Sequence, residues 1–208
     1  MGMDSAFLIT AFATLFVVID PIGLTPIFIA LTADTDTAHR RSVAIRSCVI
    51  GAGVLFLFAF LGESVLGFIG ISMPAFRIAG GILLFLTALE MLFERRSKRR
   101  EDQAGAEADY PDPSVFPIAI PLIAGPGAIA SVILLTGQAE GAVGMASVLG
   151  VLIAVLAIVL MFFFSAGLIE RAMGKTGITV VTRLLGMLLA ALSVQFVLDG
   201  LRAFGLAG

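Results

Sequence analysis

Six long apolar runs, at roughly 6–31, 43–69, 75–93, 115–137, 142–168 and 180–204, take up most of this chain, and each approaches or exceeds the ~20 residues that cross a bilayer as a helix. Inside lipid every backbone N–H and C=O must be satisfied within the protein, which restricts such runs to helices. The residues are 59% hydrophobic and 13% charged, with a mean hydropathy of +1.09, and a soluble domain has too little interior to hide that much apolar surface. The expected fold is therefore all-α: a polytopic membrane protein with six transmembrane helices. The first run follows Met-Gly-Met-Asp-Ser, which lacks a basic segment, and it is too long for a signal-peptide core. It is expected to remain as a span.

The composition argues against several function classes. A single cysteine, Cys48, excludes an intramolecular disulfide and a dithiol relay. The single histidine, His39, lies in the polar stretch "TADTDTAHRR", so no His/Cys metal cluster can form. No intramembrane pairing of nucleophile and base suggests an enzyme, so the expectation is no catalytic residue, no metal and no cofactor.

Charge sets the expected orientation. Three polar segments, Thr32–Ser42, Glu94–Ser114 and the turn near Glu170–Thr176, fall on one side of a six-span chain. They carry Arg40, Arg41, Arg95, Arg96, Lys98, Arg99, Arg100, Arg171 and Lys175, with Arg46 and Arg183 nearby, whereas the opposite side keeps Arg77 and Arg202. The positive-inside rule makes the first side cytoplasmic and puts both termini outside. By the same asymmetry "ERRSKRRED" reads as a topology anchor and not as a nucleic-acid patch, and 94–114 reads as a flexible cytoplasmic linker between two halves, 1–93 and 115–208.

Those halves echo each other. "DPIGLTPIF" at Asp20–Phe28 and "IPLIAGPGAI" at Ile120–Ile129 each carry two prolines five residues apart, Pro21/Pro26 and Pro121/Pro126, at a constant offset of 100 residues. "RIAGGILLFLTALEML" from Arg77 matches "RLLGMLLAALSVQFVL" from Arg183, with Thr87 and Ser193 ten residues after each arginine. Consecutive repeats of three spans enter the membrane from opposite sides, so the expected architecture is two inverted three-helix repeats with broken first and fourth helices.

The breaks carry the candidate site. Proline removes the bond to the carbonyl four residues back: Pro21 frees that of Val17, Pro26 that of Ile22, Pro121 that of Pro117 and Pro126 that of Leu122. Thr25-Pro26 and Gly125-Pro126 each read as an N-cap followed by a proline at the first helical position. A fresh helix N-terminus at mid-depth suits an anion such as a carboxylate, and unwound carbonyls suit a cation or ammonium. A zwitterionic amino acid satisfies both; the plainer reading is a pair of packing kinks. The candidate substrate-binding residues are Asp20, Pro21, Gly23, Thr25, Pro26, Pro121, Gly125, Pro126 and Gly127, with Thr87 and Ser193 as secondary polar contributors. Asp20, a carboxylate without a counterpart in the second repeat, is the candidate for ion coupling, to Na+ or H+. Its structural alternative is an N-cap, bonding backbone N–H groups around Gly23. Asp199 is expected to pair with Arg202, and Glu63 and Glu90 to be snorkelling or paired residues.

"DPIGLTPIFIALT", "GISMPAFRIAGGILLFLTALEMLF", "IAIPLIAGPGAIASVILL" and "GITVVTRLLGMLLAALSVQFVLDG", in this order along nearly the whole chain, resemble the MarC family of membrane proteins. The resemblance implies six spans and a plasma (inner) membrane location. It also implies a secondary transporter for small neutral amino acids of the glycine/alanine type, since the family includes such transporters. Asp20-Pro21 stands where relatives often have Asn-Pro, and Leu24-Thr25 where some have Gly-Asn, which leaves ion coupling and substrate preference open. The alternatives are an exporter of another small metabolite, a pore or a structural component. The expected partners are a small-molecule substrate and the lipid bilayer, with no nucleic acid; a homo-oligomer stays open.

Overall fold

Where the first and fourth apolar runs leave the helix follows from proline sterics. A residue preceding proline is pushed out of the helical region by the ring's Cδ. Asp20 before Pro21 takes the left-handed conformation (φ 61°, ψ 66°), and Phe116 before Pro117 and Ile120 before Pro121 are extended (φ −122° and −130°). A computed structural model describes residues 5–33, 35–106 and 112–205, which contain no strand.

The first run is two helices, α1 (Ser5–Ile19) and α2 (Pro21–Leu31), joined at Asp20. Helices α3 (Thr37–Ile69) and α4 (Met73–Leu92) follow, then α5 (Arg95–Ala106). The fourth run is an irregular, twice-interrupted helical segment, Ser114–Ile123, and α6 (Pro126–Thr136), bent by 54° at the break between them. Helices α7 (Gly141–Phe164) and α8 (Ala166–Ala203) complete the chain, α8 kinking at Gly174 (φ 59°, ψ 176°). Among the described residues five stretches are long and apolar enough to cross a membrane: Ser5–Leu31, Thr37–Ile69, Met73–Leu92, Gly141–Phe164 and Thr176–Ala203; the bent pair makes a sixth when taken as one span.

The broken helices form the centre. Over its most apolar window the first span is 56% buried, against 28–39% for the four unbroken ones, and α6 is buried from Ala130 to Thr136. Irregular backbone at membrane depth is tolerated only where protein or an aqueous cavity surrounds it, so the unbroken helices serve as the sleeve. Their outer faces carry exposed apolar side chains such as Phe68, Leu168 and Val143, which suits lipid.

Glycines set the close contacts. A Cβ on Gly51 would stand 2.7 Å from Ile123, and one on Gly62 2.5 Å from Ile133, so α3 lies against the fourth run through small residues. Gly81 faces Ser193 and Val197, Gly186 faces Met91, and Gly200 faces Pro74 and Ile78. Positions rising along α4 meet positions falling along α8, so the two pack antiparallel. Ion pairs gather at one end of the bundle: Arg183–Glu94 at 2.6 Å, Arg99–Glu90 at 2.6 Å and Arg46–Asp112 at 2.7 Å.

Two expectations change here. The stretch expected to be a flexible linker begins with the helix α5, because "RRSKRREDQA" is rich in good helix formers and Arg96, Arg99 and Arg100 have partners in the bundle. The remainder, 107–111, lies outside the described residues, as do both termini (1–4 and 206–208). The second helix of the first run starts at Pro21, and Pro26 lies inside it; Thr25 is therefore no N-cap, and its hydroxyl donates to the Pro21 carbonyl at 2.9 Å.

Candidate functional site

Asp20 caps α2. Its Oδ1 accepts from the Gly23 N–H at 3.0 Å, the side-chain-to-backbone bond that makes Asp a good N-cap. Asp is also among the few non-glycine residues that tolerate the left-handed region. The carboxylate folds back so closely that a Cβ on Gly23 would sit 2.2 Å from Oδ2.

Capping Gly23 from Asp20 has a consequence upstream. In an unbroken helix the N–H groups of Ile22 and Gly23 would serve the Val18 and Ile19 carbonyls. With Gly23 committed to Asp20, other donors take over. Arg100 donates to the Ile19 carbonyl at 3.2 Å and to Asp20 Oδ2 at 3.1 Å. Arg96 donates to the Val18 carbonyl and, at 2.9 Å, to the Met91 sulfur. Helix α5 thus inserts two guanidiniums into the first break. Arg95, Lys98 and Arg99 of α5 are exposed, whereas Arg96 and Arg100, expected to be topology anchors like them, are buried against the break.

Beside them is a cavity of about 200 Å³. Val18 lines it from α1, Thr87 from α4, and Arg96, Arg99 and Arg100 from α5; residues 121–123 and 125–128 line it from the two sides of the second break. There the expected cap is observed: Gly125 is the N-cap of α6 and Pro126 its first residue. The N–H groups of the next two residues, Gly127 and Ala128, have no intrahelical acceptor at such a terminus. At the same break, Pro126 leaves the Leu122 carbonyl without its helical donor. Gly125 is required because a Cβ would lie 2.5 Å from the Pro121 carbonyl oxygen, and a Cβ on Gly127 would lie 3.2 Å from Val18 and 3.8 Å from the Thr87 hydroxyl.

The charge balance is uneven. Asp20, Arg96 and Arg100 are the buried charged side chains among the described residues, 1%, 5% and 4% exposed. Arg100 is paired with Asp20 and Arg99 with Glu90, whereas Arg96 bonds a carbonyl and a thioether and its Nε has no partner. Burial, and next Arg100 beside it, lower the Arg96 guanidinium to about 9, with Asp20 acting in the opposite direction; at neutral pH it still carries its charge.

Of the residues singled out in the sequence, Thr87, Pro121, Gly125, Pro126 and Gly127 meet at the cavity. Asp20, Pro21, Gly23, Thr25 and Pro26 form the first break, behind the arginines. Ser193 belongs elsewhere: buried where α8 crosses α4, it donates to the Ala190 carbonyl at 2.7 Å. Glu90 pairs with Arg99, and Asp199 with Arg202 at 3.6 Å, as expected. Sequence reasoning missed Arg96 and Arg100, and the available signal was their four-residue spacing, which puts both on one helix face.

No solved structure matches the chain. Similar proteins include a UPF0056 membrane protein of Methanocaldococcus jannaschii, 35% identical over 203 residues that cover 96% of this chain and 98% of the relative. A UPF0056 membrane protein of Bacillus subtilis, YvbG, is 34% identical over 203 residues, 96% of each chain. A UPF0056 inner membrane protein of Escherichia coli, YhgN, is 32% identical over 195 residues, 94% of this chain and 96% of the relative. With the family model described as "MarC family integral membrane protein" matching residues 5–204, the chain belongs to the MarC family of integral membrane proteins.

Proposed function

We propose that the chain is a secondary transporter of the inner membrane for small neutral amino acids, holding its substrate in the cavity between the two broken helices. The observation that carries this is the cavity itself. Its lining includes free N–H groups, a guanidinium without an acidic partner and a carbonyl without its helical donor, groups that complement the two ends of a zwitterion. At about 200 Å³ it lies below the ~300–1,000 Å³ of drug-sized sites, which favours a solute as small as glycine or alanine.

The inverted repeat fits this reading. The offset from Arg77 to Arg183 is 106 residues, and the contact of Gly186 with Met91 maps under it onto positions 80 and 197, one residue from the observed contact of Gly81 with Val197. Such a pseudo-twofold supports alternating access around a central site. The end of the bundle that carries Arg46, Arg99 and Arg183 is assigned to the cytoplasm by the positive-inside rule. Asp20 stays the candidate for ion coupling, and an ion or proton reaches it only when Arg100 withdraws.

The test is flux in proteoliposomes containing the purified full chain. Saturable uptake or counterflow of labelled alanine or glycine is expected under a sodium or proton gradient. Absence of saturable flux with either solute, under either gradient and in both directions, contradicts transport.

A further inference from the structure

We propose that Arg96 and the N-terminus of α6 form a carboxylate site, and that the carboxylate is the group this cavity holds most strongly. The inference rests on the transport reading for its biological sense, but binding tests it separately.

Two independent observations meet at one place. Arg96 is 95% buried by its 5% exposure, lines the cavity and has no acid within bonding distance, its terminal nitrogens donating to a carbonyl and a thioether. The other buried or half-buried arginines of α5 are neutralised, Arg100 by Asp20 and Arg99 by Glu90. A buried cation with no acid in hydrogen-bonding contact is costly, and an anion bound beside it offsets that cost. The second observation is α6, an eleven-residue helix whose first turn, at Gly127 and Ala128, lines the same cavity with free N–H groups and the positive end of the helix dipole. A planar guanidinium beside two amide N–H groups suits the planar, two-oxygen face of a carboxylate.

At the first break the acceptors that would hold an ammonium are committed: the Val18 and Ile19 carbonyls and Asp20 Oδ2 already receive Arg96 and Arg100. The ligand class is therefore a compact monocarboxylate, of which a small amino acid is one case.

Thermal unfolding of the detergent-solubilised full chain tests this, read by a thiol-reactive dye that reports exposure of the buried Cys48. L-alanine and propionate are expected to raise the melting temperature of the wild type, and L-alaninamide and inorganic phosphate to leave it unchanged. Arg96→Gln should weaken alanine binding by about tenfold or more, the scale of a lost charge-assisted hydrogen bond, and Arg96→Lys should restore part of it. Stabilisation by alaninamide equal to that by alanine overturns the proposal, as does a shift with phosphate but not propionate, or no shift with either carboxylate. The wild-type series decides the matter even if Arg96→Gln does not fold. Carboxylate binding without flux would refute transport and leave the site standing, whereas wild-type alanine flux in Arg96→Gln would refute the site and leave transport standing.

Discussion

Arg100 crosses 80 positions of sequence to place its guanidinium 3.1 Å from the carboxylate of Asp20, and both side chains are at least 95% buried. The pair joins a helix outside the six spans to the break in the first of them. Removing one member of a buried pair leaves an uncompensated charge and typically costs about 3–5 kcal/mol, whereas replacing both is far milder. Asp20→Asn preserves the left-handed residue and its cap to Gly23, so it isolates the charge. The expected result is a marked fall in melting temperature for Asp20→Asn and for Arg100→Met, with the double variant more stable than either single one.

Gly23→Ala tests the fold-back of the same carboxylate. A Cβ there would stand 2.2 Å from Asp20 Oδ2, which forces the side chain off both the Gly23 N–H and Arg100. Loss of the cap alone costs about 0.5–2 kcal/mol, and the expected total exceeds that range. The melting temperature should fall at least as far as in Asp20→Asn, although alanine is the better helix former.

The α4–α8 seam makes a third prediction, with an internal control. Gly186→Ala sets a Cβ 2.9 Å from Met91 Cβ and 3.2 Å from the Ala88 carbonyl oxygen, overpacking expected to cost about 1–3 kcal/mol. Gly53→Ala, in α3, meets nothing within 4 Å and should be neutral or stabilising by about 0.5–1 kcal/mol. Melting temperatures of the two variants should move in opposite directions or differ clearly.

Acid should loosen the entry to the fourth run. Asp112 accepts from the Ser114 hydroxyl at 2.6 Å and its N–H at 3.0 Å and pairs with Arg46 at 2.7 Å. The Ser114 hydroxyl bond, first, holds the carboxyl below its ordinary 3.8, against a smaller opposing effect of burial. A carboxyl depressed in the folded state stabilises above its unfolded value, and that contribution disappears as pH falls through the folded one. The melting-temperature gap between wild type and Asp112→Asn should therefore be widest near neutral pH and close as pH drops below about 4.

Much of the architecture was legible because lipid imposes strict rules: run length marked the spans, and Gly125-Pro126 marked the new N-terminus. The Asp20 cap to Gly23 was also foreseeable, being a contact between residues three apart. The first break was placed one proline too late, since proline is as acceptable at the first helical position at residue 21 as at 26, and only the left-handed Asp20 decides between them. Arg96 and Arg100 were missed for another reason. Their four-residue spacing marks one helix face but not what it meets: Val18, Ile19 and Asp20 lie about 80 residues away, and a basic run after a span has a sufficient explanation in topology. Ser193 shares Thr87's place in the repeat, yet the packing of α8 on α4 turns it toward its own backbone.

The most direct test of the central claim, a substrate held between the two breaks, is protection of a cysteine at Thr87 in a chain whose Cys48 is replaced by alanine. Thr87 lines the cavity and Ser193, its counterpart in the repeat, does not. Alanine, at concentrations that saturate flux, should slow labelling at Thr87→Cys by a water-soluble thiosulfonate, and labelling should block transport; Ser193→Cys should show neither effect. Labelling of Thr87→Cys that alanine does not slow, with transport intact after modification, would contradict the account.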